Sequence, residues 1–359
     1  MLFVSEIDIY FSIWRNKEAR GKNQTGQDGR ILKMDICYSC CENRKLTNEH
    51  VIPQALGGRL YAPIYCKVCN DQYGKEIDAE LIKNLGYVGT ALNIKRTSGS
   101  NRPYALTLEE NDQKLTFDGR KITRKDPIVR IKKNGKTINS VDVRARNEGE
   151  LNAILSSIRM KYELDEKLYY FPEIYPSPVD AATEFVLDNS LIRRCVSKIA
   201  YSLLCIKLPP ELVMSKSFDD VRNYIRLGSS DHLATANYVH TSFMTDNIRP
   251  LHKIHICMNR KESLVIGFVC LFGMFRYSVL LSKSFNSLLS WPGLDHTIDP
   301  VTSNYIPGRS GFIAPQIDAV EVLSPKHNKI LIEKELEKGL RIIKSYNENI
   351  DFLKVEAGK

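Results

Sequence analysis

Tryptophan, low-complexity tracts and long unbroken apolar runs are all scarce in this 359-residue chain, which has two Trp among 43% hydrophobic and 26% charged residues. That balance excludes fibrous and wholly disordered classes and leaves an ordinary globular composition able to bury a sizeable core. The N-terminal stretch MLFVSEIDIYFSIWRNKEAR has acids among its apolar positions, no basic leader and no small-residue cleavage site, so a secretory signal peptide is not expected. The longest apolar stretch, 263–282, is interrupted by Gly273 and Arg276 and enriched in Val, Phe and Tyr. It predicts a buried β-hairpin turning near Gly273 rather than a membrane helix. Residues 176–359 contain no phosphate loop, dinucleotide fingerprint or nucleophile elbow, so nothing there names a ligand.

Cysteine, by contrast, is plentiful and unevenly placed. Of nine cysteines, Cys37, Cys40, Cys41, Cys66 and Cys69 crowd one segment, while Cys195, Cys205, Cys257 and Cys270 sit in apolar surroundings. This distribution fits metal ligation in a reducing cytosol better than a secreted disulfide scaffold, and a cytoplasmic protein is expected. Charge is uneven too. The formal net charge is +9, and residues 94–147 hold fourteen Lys or Arg against six Asp or Glu. A polyanionic partner is favoured, although a basic stretch is commonly just a solvated face.

The cysteine-rich segment reads CYSC, then TNEHVIPQALGG, then CKVCNDQYGKEIDAEL. Two Cys-x-x-Cys pairs at knuckle spacing, Cys37/Cys40 and Cys66/Cys69, suit one tetrahedral structural Zn²⁺. Cys41 offers a competing register, but two intervening residues favour Cys40. Such a site would be worth on the order of 10 kcal/mol of local folding energy, since so short a segment has little core of its own. Between the pairs lie an acid and an imidazole, Glu49 and His50, which would point to opposite faces of an extended strand unless a bend or bulge brought them together. A helix opening at Asn70 and running through Leu81 would put Asn70, Gly74 and Asp78 on one face, Gly74 leaving room for close approach.

The segment resembles the HNH endonuclease family, in its zinc-ribbon variant: a Glu-His pair, a Pro three residues later, a Gly-Gly turn, and Cys-x-x-Cys-Asn running into Gly-x-x-x-Asp. It is similar also to the ββα-metal arrangement of the phage junction resolvases. The likeness covers about fifty of 359 residues. It implies that His50 deprotonates the attacking water while Glu49 and Asn70 hold one catalytic Mg²⁺ or Mn²⁺ against the scissile phosphate, leaving 5′-phosphate and 3′-hydroxyl ends. Asp78 is then a supporting group behind His50 or the zinc side. Arg59, Lys67 and Lys75 are candidates for phosphate contact, with solvated surface charge an equal alternative for each. The middle Asn of the family name is absent, and Pro63 stands near its place; that Asn is chiefly a cross-link between hairpin and turn.

An α+β protein is therefore expected. Residues 1–33 form an N-terminal extension, with Met34 a candidate start; 34–88 the nuclease module; 89–175 a basic β-rich extension plus a helix over 148–165; and 176–359 a larger C-terminal α+β domain. Helices are predicted over 187–206, over 218–226 with Ser217 as cap, and over 330–350, with strands at 252–258, 264–272 and 275–281. His240, His252 and His255 are expected to be structural, since strand alternation does not put His252 and His255 on one face. The expected activity is divalent-metal-dependent cleavage of nucleic acid, most naturally double-stranded DNA, in a restriction or anti-phage setting, with a homodimer as a candidate assembly. Two alternatives stand beside it: a non-catalytic zinc-knuckle binding module, or a nuclease gated by a C-terminal sensor domain.

Overall fold

The alternating TNEH and YAPIYC stretches pair as the first hairpin, β1 (Leu46–His50) with β2 (Tyr61–Cys66). The computed structural model describes residues 36–95, 104–108, 113–117, 119, 122–124, 126–134, 137–145, 147–162, 186, 188–228, 233–238, 241, 244, 248–285, 293–307, 324 and 329–357. The N-terminal extension 1–33, Met34 and His240 lie outside these residues. Strand β2 runs directly into α1 (Lys67–Lys75), with Cys66 at the N-cap position. The single helix expected from Asn70 through Leu81 is instead two. Glu76, at φ −99° and ψ −77°, breaks it, and α2 (Ile77–Ala91) begins after it. Asn70 and Asp78 consequently sit on different helices and do not share a face.

The basic stretch is β-rich, as expected. A three-stranded antiparallel sheet is built from β3 (Tyr104–Leu108), β4 (Gln113–Phe117) and β5 (Ile122–Arg124), and a separate hairpin from β6 (Ile128–Asn134) and β7 (Thr137–Arg144). Period-two alternation sorts the hairpin residues. Arg130, Lys132 and Arg144 are exposed, whereas Ile131 and Val141, paired across the ladder, are half-buried. Helix α3 (Glu148–Tyr162) follows and contacts β7.

Helix α4 (Ser190–Lys207) is the hub of the fold. Asn189 caps it by accepting from the Ile192 amide at 2.8 Å. After it come the short α5 (Pro210–Val213) and α6 (Asp219–Leu227), which ends on Gly228 in the left-handed region at φ +67°. Ser217 does not cap α6; its hydroxyl donates to the Ser284 carbonyl, and a 3₁₀ turn over Lys216–Phe218 starts the helix. A six-stranded antiparallel sheet then packs against α4 in the order β13-β12-β9-β10-β11-β8. Its strands are β8 (Ala234–Ala236), β9 (His252–Asn259), β10 (Leu264–Leu271), β11 (Phe275–Ser282), β12 (Leu294–Ile298) and β13 (Tyr305–Ile306). The expected hairpin is β10–β11, with Gly273 at φ +69° in its turn. Among the described residues no helix is long and apolar enough to cross a membrane. A last helix, α7 (Lys329–Ala357), buries Ile343 and pairs Glu335 with Arg276 of β11.

One hydrophobic cluster runs from Cys37, Tyr65 and Leu81 through Ile199 and Leu203 to Val269 and Val279. The motif-bearing segment and the C-terminal elements thus share a core, and α4 lies between them. The approach is close, since a Cβ on Gly267 would fall 2.9 Å from the Ala200 Cβ. The architecture is α+β.

Candidate active site on the zinc-knuckle hairpin

At one end of the β1–β2 hairpin, the sulfurs of Cys37, Cys40, Cys66 and Cys69 all lie within 4.8 Å of one another. Tetrahedral ligation at a Zn–S distance of about 2.3 Å needs sulfurs about 3.8 Å apart, so these four fit a structural zinc with little movement. Within the cradle Cys37 is the sulfur polarised towards thiolate, while burial pushes the Cys40 thiol up and the bond with Cys37 pushes the Cys69 thiol up. The Cys66 amide donates to the Cys37 sulfur at 3.2 Å, and the Cys69 thiol together with backbone amides holds the Cys37 thiol well below its ordinary value. Cys41 is exposed and outside the cluster, its φ of +61° turning the chain away. Among the described residues this is the one group suited to a metal. His252 and His255 are structural: His252 accepts from the Phe272 amide through Nδ1 and donates through Nε2 to the Leu56 carbonyl at 2.7 Å, and His255 pairs with Asp295.

The other end of the hairpin carries the acid and the imidazole. The ladder slips between Thr47 and Asn48, before the pair, so Glu49 and His50 continue in regular register opposite Ala62 and Tyr61. Their side chains therefore alternate. Glu49 is 4% exposed and turned into the core, whereas His50 is half-buried with its ring 5.5 Å from that of Tyr61. Burial lowers the His50 pKa, and the positive charges of Arg59 and Lys198 lower it further, against a weaker opposing pull from Asp78. At neutral pH the imidazole is thus unprotonated and able to accept a proton.

Glu49 meets a residue that sequence reasoning missed. Lys198 of α4, fully buried, donates its ammonium to Glu49 and, at 2.7 Å, to Asp78. The Cys195 thiol donates to the other side of Asp78 at 3.2 Å. Burial works to lower the Lys198 pKa, but the Asp78 and Glu49 carboxylates outweigh it and keep the ammonium charged. Burial pushes Glu49 up, opposed by Lys198 and reinforced by Asp78. The only hint in the sequence was a lysine within the apolar run of α4, a position that requires an acid partner without saying which.

The remaining candidates are dispersed. Asn70, in the first turns of α1, donates its side-chain amide to Thr47 Oγ1 at 3.0 Å and to the Asn48 carbonyl at 3.1 Å. It thereby ties helix to hairpin, the cross-link otherwise supplied by the absent middle Asn. Arg59 is anchored by donation to Ser303 Oγ at 2.9 Å and to the Lys95 carbonyl at 2.8 Å, its charge acting on His50. Lys67 is exposed and pairs with Asp71 one turn along, and Lys75 is exposed at the end of α1. Gly74 has no atom within 4 Å of an added Cβ, so space is open there. The Gly57-Gly58 turn is sterically obligatory: a Cβ on Gly58 would fall 1.9 Å from the Ile52 carbonyl oxygen.

A divalent catalytic ion fits this arrangement poorly. Glu49 is committed to an ammonium in the interior, so the carboxylate expected to share an ion with Asn70 is already taken; the Asn70 NH₂ donates to the hairpin.

A knuckle of four sulfurs, a hairpin ending in Glu-His, a Gly-Gly turn and a following helix define a unit of the ββα type. Residues 36–86 match the family model described as HNH endonuclease. No curated protein and no solved structure matches the chain.

Proposed function

We propose that the chain is an HNH-type endonuclease that hydrolyses phosphodiester bonds, with double-stranded DNA the first substrate to test and restriction or anti-phage defence its setting. The observation that carries this reading is His50: an unprotonated, half-buried imidazole at the end of the hairpin, within the electrostatic reach of an anchored Arg59. An imidazole nitrogen takes a proton from water as the water oxygen bonds to phosphorus and the bond to the 3′ oxygen breaks, the departing 3′ oxygen taking a proton from solvent, which gives 5′-phosphate and 3′-hydroxyl ends. Arg59 supplies positive charge beside the phosphate oxygens. Lys67, Lys75, Arg130, Lys132 and Arg144 are exposed and offer further positive charge to a phosphate backbone. Zn²⁺ serves structure. Since Lys198 already occupies Glu49, the Mg²⁺ or Mn²⁺ requirement is a quantity to be measured.

Plasmid cleavage by the zinc-loaded protein, with Mg²⁺ or Mn²⁺ varied, tests this. His50→Ala is expected to lower the rate by about 10²- to 10⁴-fold, the range for loss of a general base, with zinc content unchanged. Wild type that binds DNA but never cuts it would favour a non-catalytic zinc-knuckle binding module. The Glu49–Lys198 contact is the observation behind that second reading.

A further inference from the structure

The acid of the Glu-His pair is satisfied from inside the chain, by a cation 149 residues away. Three side chains from three elements converge there: Glu49 from β1, Asp78 from α2 and Lys198 from α4, all buried, with the Cys195 thiol closing the far side of Asp78. Ammonium and divalent ions both seek carboxylate oxygens, and the low-dielectric interior makes the two positive charges strongly repulsive at one carboxylate. We propose that the Lys198 ammonium and a divalent cation are mutually exclusive occupants of Glu49, so that α4 decides whether this centre can take a metal. This rests on the reading of the hairpin as a nuclease centre. It gives the C-terminal elements a role in that centre: α4 is held by the six-stranded sheet on one side and by the hairpin and α2 on the other, and Lys198 moves only if α4 or its own side chain does.

The test is divalent-ion binding, read without reference to cleavage. Zinc-loaded full-length protein is titrated with Mn²⁺, free Mn²⁺ being followed by electron paramagnetic resonance, for wild type, Lys198→Met, Lys198→Arg and Lys198→Met/Glu49→Gln. Lys198→Met is expected to bind Mn²⁺ about tenfold to a hundredfold more tightly than wild type, the range of ordinary coupling between two ligands. Lys198→Arg, which keeps the charge, should stay near wild type, and the double variant should lose the gain. Unchanged Mn²⁺ affinity in Lys198→Met, or a gain that survives Glu49→Gln, overturns the proposal. Should Lys198→Met fail to fold, Lys198→Met/Asp78→Asn, which leaves one carboxylate uncompensated rather than two, carries the same comparison. A protein that shows the Mn²⁺ shift but never cuts DNA sinks the nuclease reading and leaves this one standing; a His50-dependent nuclease with no shift does the reverse.

Discussion

The two ends of one short hairpin are held by opposite strategies. At the knuckle end, four sulfurs from β2, α1 and the preceding turn converge within 4.8 Å, all from residues 37–69. At the other end, Glu49 is held by Lys198 from a helix that begins at Ser190. The first staple is local and needs an ion from outside; the second is remote and uses a cation carried by the chain. The difference shows what each controls. A metal knuckle fixes the shape of its own segment, whereas the ammonium ties that segment to the rest of the molecule and sets the charge next to His50.

Removing zinc should have the largest effect and tests whether the ends are independent. The sequence expectation of on the order of 10 kcal/mol assumed a segment with no core of its own. In the fold, α2 packs on α4 within the shared core, so chelation is expected to spare α2. Hydrogen exchange after chelator treatment should show lost protection at 37–50 and 61–75, with the amides of Ile77–Ala91 still slow. Loss of protection throughout α2 would make both ends one cooperative unit.

A smaller effect probes the latch between the hairpin turn and the C-terminal sheet. Burial lowers the His252 pKa to about 4, outweighing the stabilising bond to the Leu56 carbonyl. The unfolded chain takes up that proton below pH about 6.5 while the folded chain does not, so the contribution is complete above that pH and is lost as pH falls towards 4. Its size is about 3 kcal/mol. Urea titrations at pH 7, 5.5 and 4.5 should show this loss in wild type and a shallower one in His252→Gln; parallel slopes would remove the latch from the account.

Smallest is the contribution of Arg59. With His50→Ala as background to prevent cleavage, Arg59→Gln should weaken duplex binding by about 1 kcal/mol and reduce the salt slope by about one. An unchanged slope would leave Arg59 as a strut between Ser303 and the Lys95 carbonyl.

Much of the fold could be read in advance, for identifiable reasons. The β10–β11 hairpin announced itself through β-branched and aromatic residues around Gly273, and the knuckle through two Cys-x-x-Cys spacings. The break at Glu76 did not, because KEIDAEL is good helix sequence throughout; in the fold the second helix begins at Ile77 and packs on α4. The hairpin contact of Asn70 was not legible either: its residue type suits an ion or a hairpin equally, and in the fold its NH₂ donates to Thr47 and Asn48. Ser217 looked like a cap, yet a 3₁₀ turn precedes α6 and draws its hydroxyl to Ser284.

By itself the sequence determined the four-sulfur cradle, the Glu-His hairpin, the Gly-Gly turn and the basic β-rich extension, since each depends on groups a few residues apart whose geometry is set by local spacing. Only the tertiary structure decided which way Glu49 faces and what it meets. A buried charge must find its counter-charge wherever packing brings one, and the packing that brought Lys198 to Glu49 is the closure of an entire core around α4.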